Sequence, residues 1–353
     1  MYKTVEIKNF RLFKDFKIEG LERINLFAGA NNVGKTALLE ALFLAANPYN
    51  RRLPSYINFV RGLDFLKADA HFLWETLFSY LDMDNEIAIS LTSLSRKKSI
   101  LKIRLSTVSS TELSINQKIN TSEIDFSKPL STRRLELWLN EDGNEKLTAF
   151  AYFIQNALKE ESTDPDRDHG GLFLPATSTA KSTDIAAQFS RLVVLKEEGK
   201  IIQYIQDFEP KIKDLKTISW GDQSMIYGDI GEDKLFPLYS LGQGTNHLLT
   251  ILLEISRVPG GIIMIDEIEN GIYYKSMPKV WQIIRQMAMD YDVQVFTTTH
   301  SEECLYAAHQ AFHDLEPYNF RFFRLSRQDD QIIPVEYDRE TLNAAIEMNL
   351  EVR

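Results

Sequence analysis

Cysteine is almost missing from this sequence, since Cys304 is the single thiol among 353 residues. One thiol excludes an intramolecular disulfide and favours a reducing compartment. Long apolar runs are missing too, because no stretch reaches the roughly 18 residues that a membrane span requires. The first residues alternate charged and apolar side chains, which is unlike a signal peptide. We therefore expect a cytoplasmic protein that does not enter a membrane.

Positive charge is in deficit, with 40 Lys and Arg residues against 50 Asp and Glu residues and a formal charge of −10. This balance excludes a protein that coats nucleic acid over its whole surface, but it leaves a local basic groove open. The basic cluster consists of Arg96, Lys97, Lys98, Lys102 and Arg104. Such clusters are usually solvated strand edges, and DNA contact is the alternative.

A glycine-rich stretch matches the phosphate-loop pattern of Gly, four residues and Gly-Lys-Thr. Its residues are Gly29, Ala30, Asn31, Asn32, Val33, Gly34, Lys35 and Thr36, followed by Ala37. A buried strand is predicted before it and a helix after it, over residues 36–47. The glycines let backbone N–H groups converge on phosphate oxygens, while Lys35 supplies a charge for the β- and γ-phosphates. Thr36 offers a hydroxyl oxygen to Mg²⁺.

Two carboxylates, Asp266 and Glu267, follow a second apolar strand at residues 261–265. Ligands collect beyond the carboxyl ends of strands in open α/β sheets. Because successive side chains point to opposite faces, we expect these acids to have different roles. Asp266 would hold Mg²⁺, directly or through water, and Glu267 would polarise the water that attacks the γ-phosphate. The structural alternative is that both acids cap the next helix.

A third apolar strand, predicted over residues 293–299, ends at His300. Its imidazole is expected to hydrogen-bond the γ-phosphate or the attacking water. The remaining histidines lack such a context and are interpreted as structural or surface residues: His71, His169, His247, His309 and His313. Cys304 is interpreted as a small core residue.

A glycine turn opens a strongly apolar helix between these two halves of the predicted site. The turn residues are Gly242, Gln243, Gly244 and Thr245. A helix start presents unpaired N–H groups and the positive end of the helix dipole, so this is a second place suited to an anion.

Strands dominate the first half of the chain, at residues 2–9, 16–18, 86–93, 99–107, 111–118, 134–140 and 146–153. Close strands without helices between them favour an antiparallel sheet. A helix is predicted near residues 66–80. Arg11, in the first turn, is expected to stack on adenine or to hold ribose or phosphate, or else to be a solvated hairpin charge.

The middle of the chain contains the predicted division between lobes. A polar loop at residues 158–171 is the best candidate break, and a helical pattern over 183–208, interrupted at Gly199, predicts a short helical arm. We therefore divide the chain into an N-terminal lobe (1–157), an arm (158–235) and a C-terminal lobe (236–353).

The ordered set of motifs resembles the ABC-type ATPases of the SMC, RecF and overcoming-lysogenization-defect (OLD) group. Within it, the chain is similar to the compact bacterial AAA-family ATPases of anti-phage defence operons. The matching segments are residues 7–11, 29–36 (Walker A), 241–245 (signature), 262–271 (Walker B and its extension), 299–301 (switch) and 342–353.

The resemblance implies an α/β fold: a mixed central sheet with helices, an antiparallel β subdomain and a short helical arm. It also implies ATP and Mg²⁺ as cofactors. In this family two subunits sandwich two ATP molecules, and the signature of one contacts the γ-phosphate held by the other. We therefore expect a homodimer or higher oligomer, acting as sensor or scaffold for a separately encoded nuclease or toxin. A RecF-like DNA clamp is the alternative, and a small-molecule phosphotransferase is a third hypothesis.

Three departures from the family pattern predict slow or partner-gated hydrolysis. Gly242 stands where Ser is usual, Tyr273 stands where relatives commonly have His, and no glutamine clearly fits the Q-loop, with Gln117 as the candidate. Because the chain ends soon after a last predicted hairpin at residues 321–337, we expect no fused nuclease domain.

Overall fold

The described residues of the chain form a mixed α/β structure with three sheets. A computed structural model describes residues 1–62, 70–109, 131–154, 157–167, 170–176 and 182–348. The strands are β1 (Tyr2–Phe10), β2 (Phe13–Ile18), β3 (Ile24–Ala28), β4 (Ile87–Ser93), β5 (Lys98–Ser109), β6 (Ser131–Glu141), β7 (Asn144–Ile154), β8 (Ala157–Ser162), β9 (Gly171–Leu174), β10 (Asp214–Trp220), β11 (Gln223–Asp229), β12 (Phe236–Pro237), β13 (Ile262–Ile265), β14 (Gln294–Thr298), β15 (Phe320–Gln328) and β16 (Gln331–Tyr337). The helices are α1 (Lys35–Ala46), α2 (Leu53–Val60), α3 (Ala70–Glu75), α4 (Ser182–Leu195), α5 (Glu198–Phe208), α6 (Leu238–Leu241), α7 (Gln243–Ser256), α8 (Met277–Asp290), α9 (Glu302–Phe312) and α10 (Arg339–Glu347).

Some of the predicted features lie outside the residues that the structure describes. The predicted strand at 111–118 with its Gln117, His169 and the C-terminal residues 351–353 lie outside the described residues. Of the helix expected near 66–80, the described residues contain α3 and the start of a 3₁₀ turn at Ser79–Leu81, while 63–69 lie outside them.

The central sheet has the strand order β16-β15-β3-β14-β13-β9. Its strands from β15 to β9 are parallel, and β16 pairs antiparallel with β15. Every residue of β3, β13 and β14 is buried, as expected for strands covered on both faces. The carboxyl ends of the parallel strands therefore meet at one edge, where the phosphate loop follows β3.

Two apolar cores cover the two faces of the central sheet. Along β13, Ile263 and Ile265 belong to the first core, and Ile262 and Met264 belong to the second core. This alternation is the period-two geometry of a strand. α1 lies in the second core, between the central sheet and the antiparallel sheet, and it is buried almost all round. A helix that is apolar on every side is the type that such a position requires.

The antiparallel subdomain is a seven-stranded sheet with the order β2-β1-β4-β5-β6-β7-β8. Its last strand corrects one prediction, because the polar loop expected at residues 158–171 begins as β8 and ends at β9. β8 pairs with β7, with Tyr152 opposite Lys159, and its polar residues suit an edge strand. β9 pairs in parallel with β13, from Gly171 opposite Ile262 to Leu174 opposite Ile265.

The expected helix pair is present as α4 and α5, which pack through Phe189 and Ile205 into the first core. The pair separates at Lys196, whose φ of 59° is left-handed, and not at Gly199, which lies in the first turn of α5. A small sheet with the order β10-β11-β12 follows, which was not predicted.

The strands of the central sheet come from residues 24–28, 171–174 and 262–337. This one sheet therefore contains strands from each of the three predicted divisions of the chain. The division at 157/158 and 235/236 stays a prediction. Within the described ranges, no helix has the length and apolarity that crossing a membrane demands.

Candidate functional site

The phosphate loop connects β3 to α1 through two glycines in the left-handed half of backbone space. Gly29 has φ 141° and Gly34 has φ 89°. A Cβ on Gly29 would overlap the Leu325 carbonyl, and one on Gly34 would lie 2.9 Å from the Phe13 ring. Both positions therefore require glycine. The loop opens on a cleft of about 940 Å³ whose walls include Asn31 and Asn32.

Lys35 lies inside the loop and is buried. Its Nζ donates to the carbonyl oxygens of Gly29, at 2.7 Å, and Ala30, at 3.0 Å. An ammonium has three hydrogens, so one remains for a phosphate oxygen. Burial lowers the pKa of Lys35, while the carboxylates of Asp266 and Glu267 oppose that shift.

Thr36 and Asp266 meet across the cleft. Thr36 Oγ1 donates to Asp266 Oδ2 at 3.0 Å, and Thr298 Oγ1 donates to Asp266 Oδ1 at 2.6 Å. Asp266 is buried and its N–H donates to the Leu174 carbonyl at 2.9 Å, so β9 helps to position it. A threonine hydroxyl and a carboxylate are hard oxygen donors, and Mg²⁺ completes such sites with waters and phosphate oxygens. These two residues fit Mg²⁺, which would neutralise charge on the phosphates when bound.

Glu267 contacts a different group from Asp266, but β13 ends at Ile265, so strand alternation does not set its direction. Its φ of 53° is left-handed, which is uncommon for a residue with a side chain. Its N–H donates to Thr298 Oγ1 at 2.8 Å, and Asn270 Nδ2 donates to Glu267 Oε2 at 3.0 Å. Its other oxygen, Oε1, lies 3.5 Å from His300 Nε2. The carboxylate and the imidazole are therefore neighbours at the edge of the cleft.

His300 lines the same cleft as Lys35 and Thr36. Its backbone N–H donates to Glu269 Oε1 at 2.9 Å, so a third acid of the 266–269 run holds the switch segment. Ser301 caps α9, because its Oγ accepts from the Cys304 N–H at 3.1 Å. Cys304 is buried, and burial raises the pKa of its thiol.

Sequence reasoning assigned no role to three residues that hold the two acids and the switch segment: Thr298, Asn270 and Glu269. The signal for Thr298 was the run of three threonines before His300. The signal for Glu269 and Asn270 was the presence of polar side chains shortly after the apolar strand at residues 261–265.

Arg11 lines the cleft, but its guanidinium is already engaged. Nε lies 2.7 Å from Glu40 Oε2, and the second amino group donates to Asn58 Oδ1 at 3.1 Å. Burial lowers the pKa of Arg11 to about 10, and the Glu40 carboxylate opposes the shift. The side chain is therefore not the solvated hairpin charge of the alternative interpretation, and its nucleotide contact stays a prediction.

The signature turn lies on another surface. In the described part of the chain, the walls of the cleft do not include residues 242–245. Gln243 is exposed, whereas Thr245 is buried. A Cβ on Gly244 would lie 3.1 Å from the Gly271 carbonyl, so the turn packs against the segment that follows Glu267.

Lys35→Ala tests the phosphate assignment. We expect the affinity for ATP to fall about 10- to 100-fold, because a charged donor to phosphate is lost. Isothermal titration calorimetry with ATP and Mg²⁺ measures it, with the exposed Lys8→Ala as the control. Normal affinity in Lys35→Ala would contradict the assignment.

Comparison with known proteins identifies a family. Residues 24–305 match the family described as "AAA domain, putative AbiEii toxin, Type IV TA system". A Helicobacter pylori protein named ATP/GTP phosphatase is 24% identical over 376 aligned positions, which cover 97% of this chain and 97% of that protein.

Two solved SMC heads are similar at low identity. The SMC head bound to the C-winged helix domain of ScpA has a TM-score of 0.49 and 12% identity, over 97% of this chain and 99% of that chain. The SMC head domain from Thermotoga maritima has a TM-score of 0.45 and 10% identity, over 96% and 99%. The family match, however, extends from β3 to α9 and takes in the phosphate loop, both acids and His300. The chain belongs to this family of ATPase-type AAA domains.

Proposed function

We propose that this chain is an ATP-binding and ATP-hydrolysing switch. The observation that carries the proposal is the convergence of Lys35, Thr36, Asp266 and His300 on one cleft, with Glu267 beside His300. Water attacks the γ-phosphorus, the bond from that phosphorus to the bridging oxygen breaks, and ADP leaves. Glu267 accepts the proton of the attacking water, and His300 orients that water or the γ-phosphate. The name of the Helicobacter pylori relative, ATP/GTP phosphatase, supports this chemistry.

The site is shared between two copies in this proposal. The signature turn is the start of α7, and within the described residues it does not line the cleft of its own chain. A helix start presents unpaired N–H groups that suit an anion. Exposed Gln243 is accompanied by two exposed aromatic side chains, Tyr239 and Tyr273. Exposed aromatics are enriched at protein interfaces, which supports a second copy opposite this surface. A dimer would place the turn of one copy on the γ-phosphate held by the other.

The switch controls a separately encoded effector, a nuclease or a toxin, in an anti-phage defence system of the cytoplasm. The family description, which names a toxin and a toxin–antitoxin system, supports this setting. Its role there is that of sensor or scaffold, with slow or partner-gated hydrolysis.

The DNA-clamp alternative finds less support. Within the basic cluster, Lys98 pairs with Glu6 at 2.7 Å, Lys102 pairs with Glu145 at 2.9 Å, and Arg104 pairs with Glu86 at 2.6 Å. Acidic partners neutralise much of the charge that phosphate contacts would use.

The molecular mass in solution tests the shared site. When ATP and Mg²⁺ are added, the molecular mass of the Glu267→Gln protein is expected to rise to at least twice its value without nucleotide. Light scattering after gel filtration measures this mass. Adding Gln243→Glu should abolish that gain, because it brings a carboxylate towards the partner's γ-phosphate, while ATP affinity stays within about twofold. Gln223→Glu, at an exposed glutamine on β11, is the matched control. If ATP did not change the molecular mass of the Glu267→Gln protein, the shared-site proposal would be contradicted.

A further inference from the structure

An apolar wall forms one side of the phosphate cleft. Leu12, Tyr80 and Leu81 line the same cleft as Lys35 and Thr36. These three residues are 42%, 58% and 56% exposed, respectively. Apolar side chains exposed together beside polar groups are typical of ligand sites.

The backbone that presents this wall is unusual. Tyr80 has φ 53° and Leu81 has φ 60°, so two consecutive bulky residues are left-handed. Such conformations are rare for residues with large side chains and persist where surrounding contacts impose them. The pair of values is therefore an observed outlier beside the phosphate loop.

Contacts from the end of β1 and from the turn after it hold the segment in place. Phe10 and Phe78 form an isolated antiparallel bridge, and the Arg11 N–H donates to the Leu77 carbonyl at 2.8 Å. Asn9 Nδ2 donates to the Asp82 carbonyl at 3.0 Å. The wall is thus anchored on both sides of Tyr80, which preorganises it for a ligand.

The Tyr80 ring is contacted by Lys14, and part of the residue remains exposed to solvent. Lys14 Nζ lies 4.5 Å from the ring centroid, which is a cation–π distance. One face of the ring is therefore covered by an ammonium, and the exposure of the residue leaves ring area for a planar ligand.

Resting on the proposed function, we propose that Tyr80 stacks on the nucleobase of the triphosphate that the phosphate loop holds, with Leu12 and Leu81 against the base edges. Aromatic stacking is sequence-tolerant, because every base has a π-face, and it favours the larger purines. The Arg11 guanidinium, for which adenine stacking was one of the expected roles, is bonded to Glu40 and Asn58.

Two polar side chains that line the cleft, Arg61 and Thr76, are engaged with protein partners. Arg61 makes two bonds to Glu40, at 2.7 and 3.0 Å, and Thr76 Oγ1 donates to the Leu73 carbonyl at 3.1 Å. A wall that reads the base by stacking, without hydrogen bonds to its edge, discriminates poorly between adenine and guanine. ATP and GTP should therefore bind with affinities within about threefold, and both should bind more tightly than CTP or UTP.

Calorimetric titration of four nucleotides and inorganic tripolyphosphate, each with Mg²⁺, tests the base site. In Tyr80→Ala the affinity for ATP and GTP should fall about tenfold, whereas that for tripolyphosphate stays within twofold. Tyr80→Phe keeps the ring and should bind all ligands as the wild-type chain does. Trp220→Ala, at an exposed aromatic on β10, is the control.

Two results would overturn the assignment. Wild-type ATP affinity in Tyr80→Ala would remove the stacking role and leave the phosphate site intact. An equal loss for ATP and tripolyphosphate would make Tyr80 a structural residue of the cleft. If the wild-type chain bound neither ligand, the phosphate site itself, and with it the proposed function, would fail.

Discussion

Glu267→Gln is expected to lower the rate of ATP hydrolysis by about 10²- to 10⁴-fold, the usual contribution of a general base. The amide keeps the size of the side chain and the partners of its backbone N–H, but it cannot take the proton of the attacking water. ATP binding should remain within about twofold of the wild type, because Lys35 and Thr36 hold the phosphates. Single-turnover hydrolysis and a binding titration, measured on the same preparation, separate the two quantities.

Two further variants make that result interpretable. Glu232→Gln changes an exposed acid far along the chain and should hydrolyse ATP normally. Asn270→Ala removes the amide that orients Glu267 Oε2, so we expect an intermediate loss of about tenfold. Hydrolysis by Glu267→Gln at the wild-type rate would take Glu267 out of the mechanism.

Glu40→Ala is expected to destabilise the fold by about 3–5 kcal/mol, the cost of removing one partner from a buried ion pair. Glu40 is completely buried on α1 and pairs with Arg11, whose side chain is 9% exposed, and with Arg61. Without the carboxylate, the Arg11 guanidinium would stay buried beside another cation. Urea unfolding, followed by circular dichroism and tryptophan fluorescence together, measures the change in free energy of unfolding.

A surface pair supplies the control for Glu40. Glu19 pairs with Lys17 at 2.7 Å, but both side chains are at least half exposed. Removing such an exposed carboxylate should cost less than about 1 kcal/mol. If Glu40→Ala and Glu19→Ala had the same small effect, the buried pair would not stabilise α1.

Sequence patterns anticipated the elements that are locally encoded. β3, the phosphate loop and α1 were predicted because a buried strand, two glycines and an apolar helix follow one another directly. The structure likewise has β13 before Asp266 and β14 before His300, since short continuous apolar runs bounded by polar residues are typical of buried strands. The antiparallel sheet followed from strands without helices between them.

Elements that depend on distant partners were missed. β9 has four residues after a polar loop, and it exists as a strand because β13, about ninety residues later, pairs with it. The β10–β11 hairpin did leave a signal, since Gly221 and Asp222 separate two alternating runs and Gly221 is left-handed.

The residue types of the phosphate loop and the alternation within β13 follow from the sequence alone, because a left-handed glycine and a period-two strand are local properties. Folding alone determined which groups meet. Asp266 reaches Thr36 across the cleft, Glu40 holds Arg11 away from solvent, and Tyr80 lines the cleft of the phosphate loop. These contacts join residues far apart in sequence, so packing of the two sheets around α1 decides them.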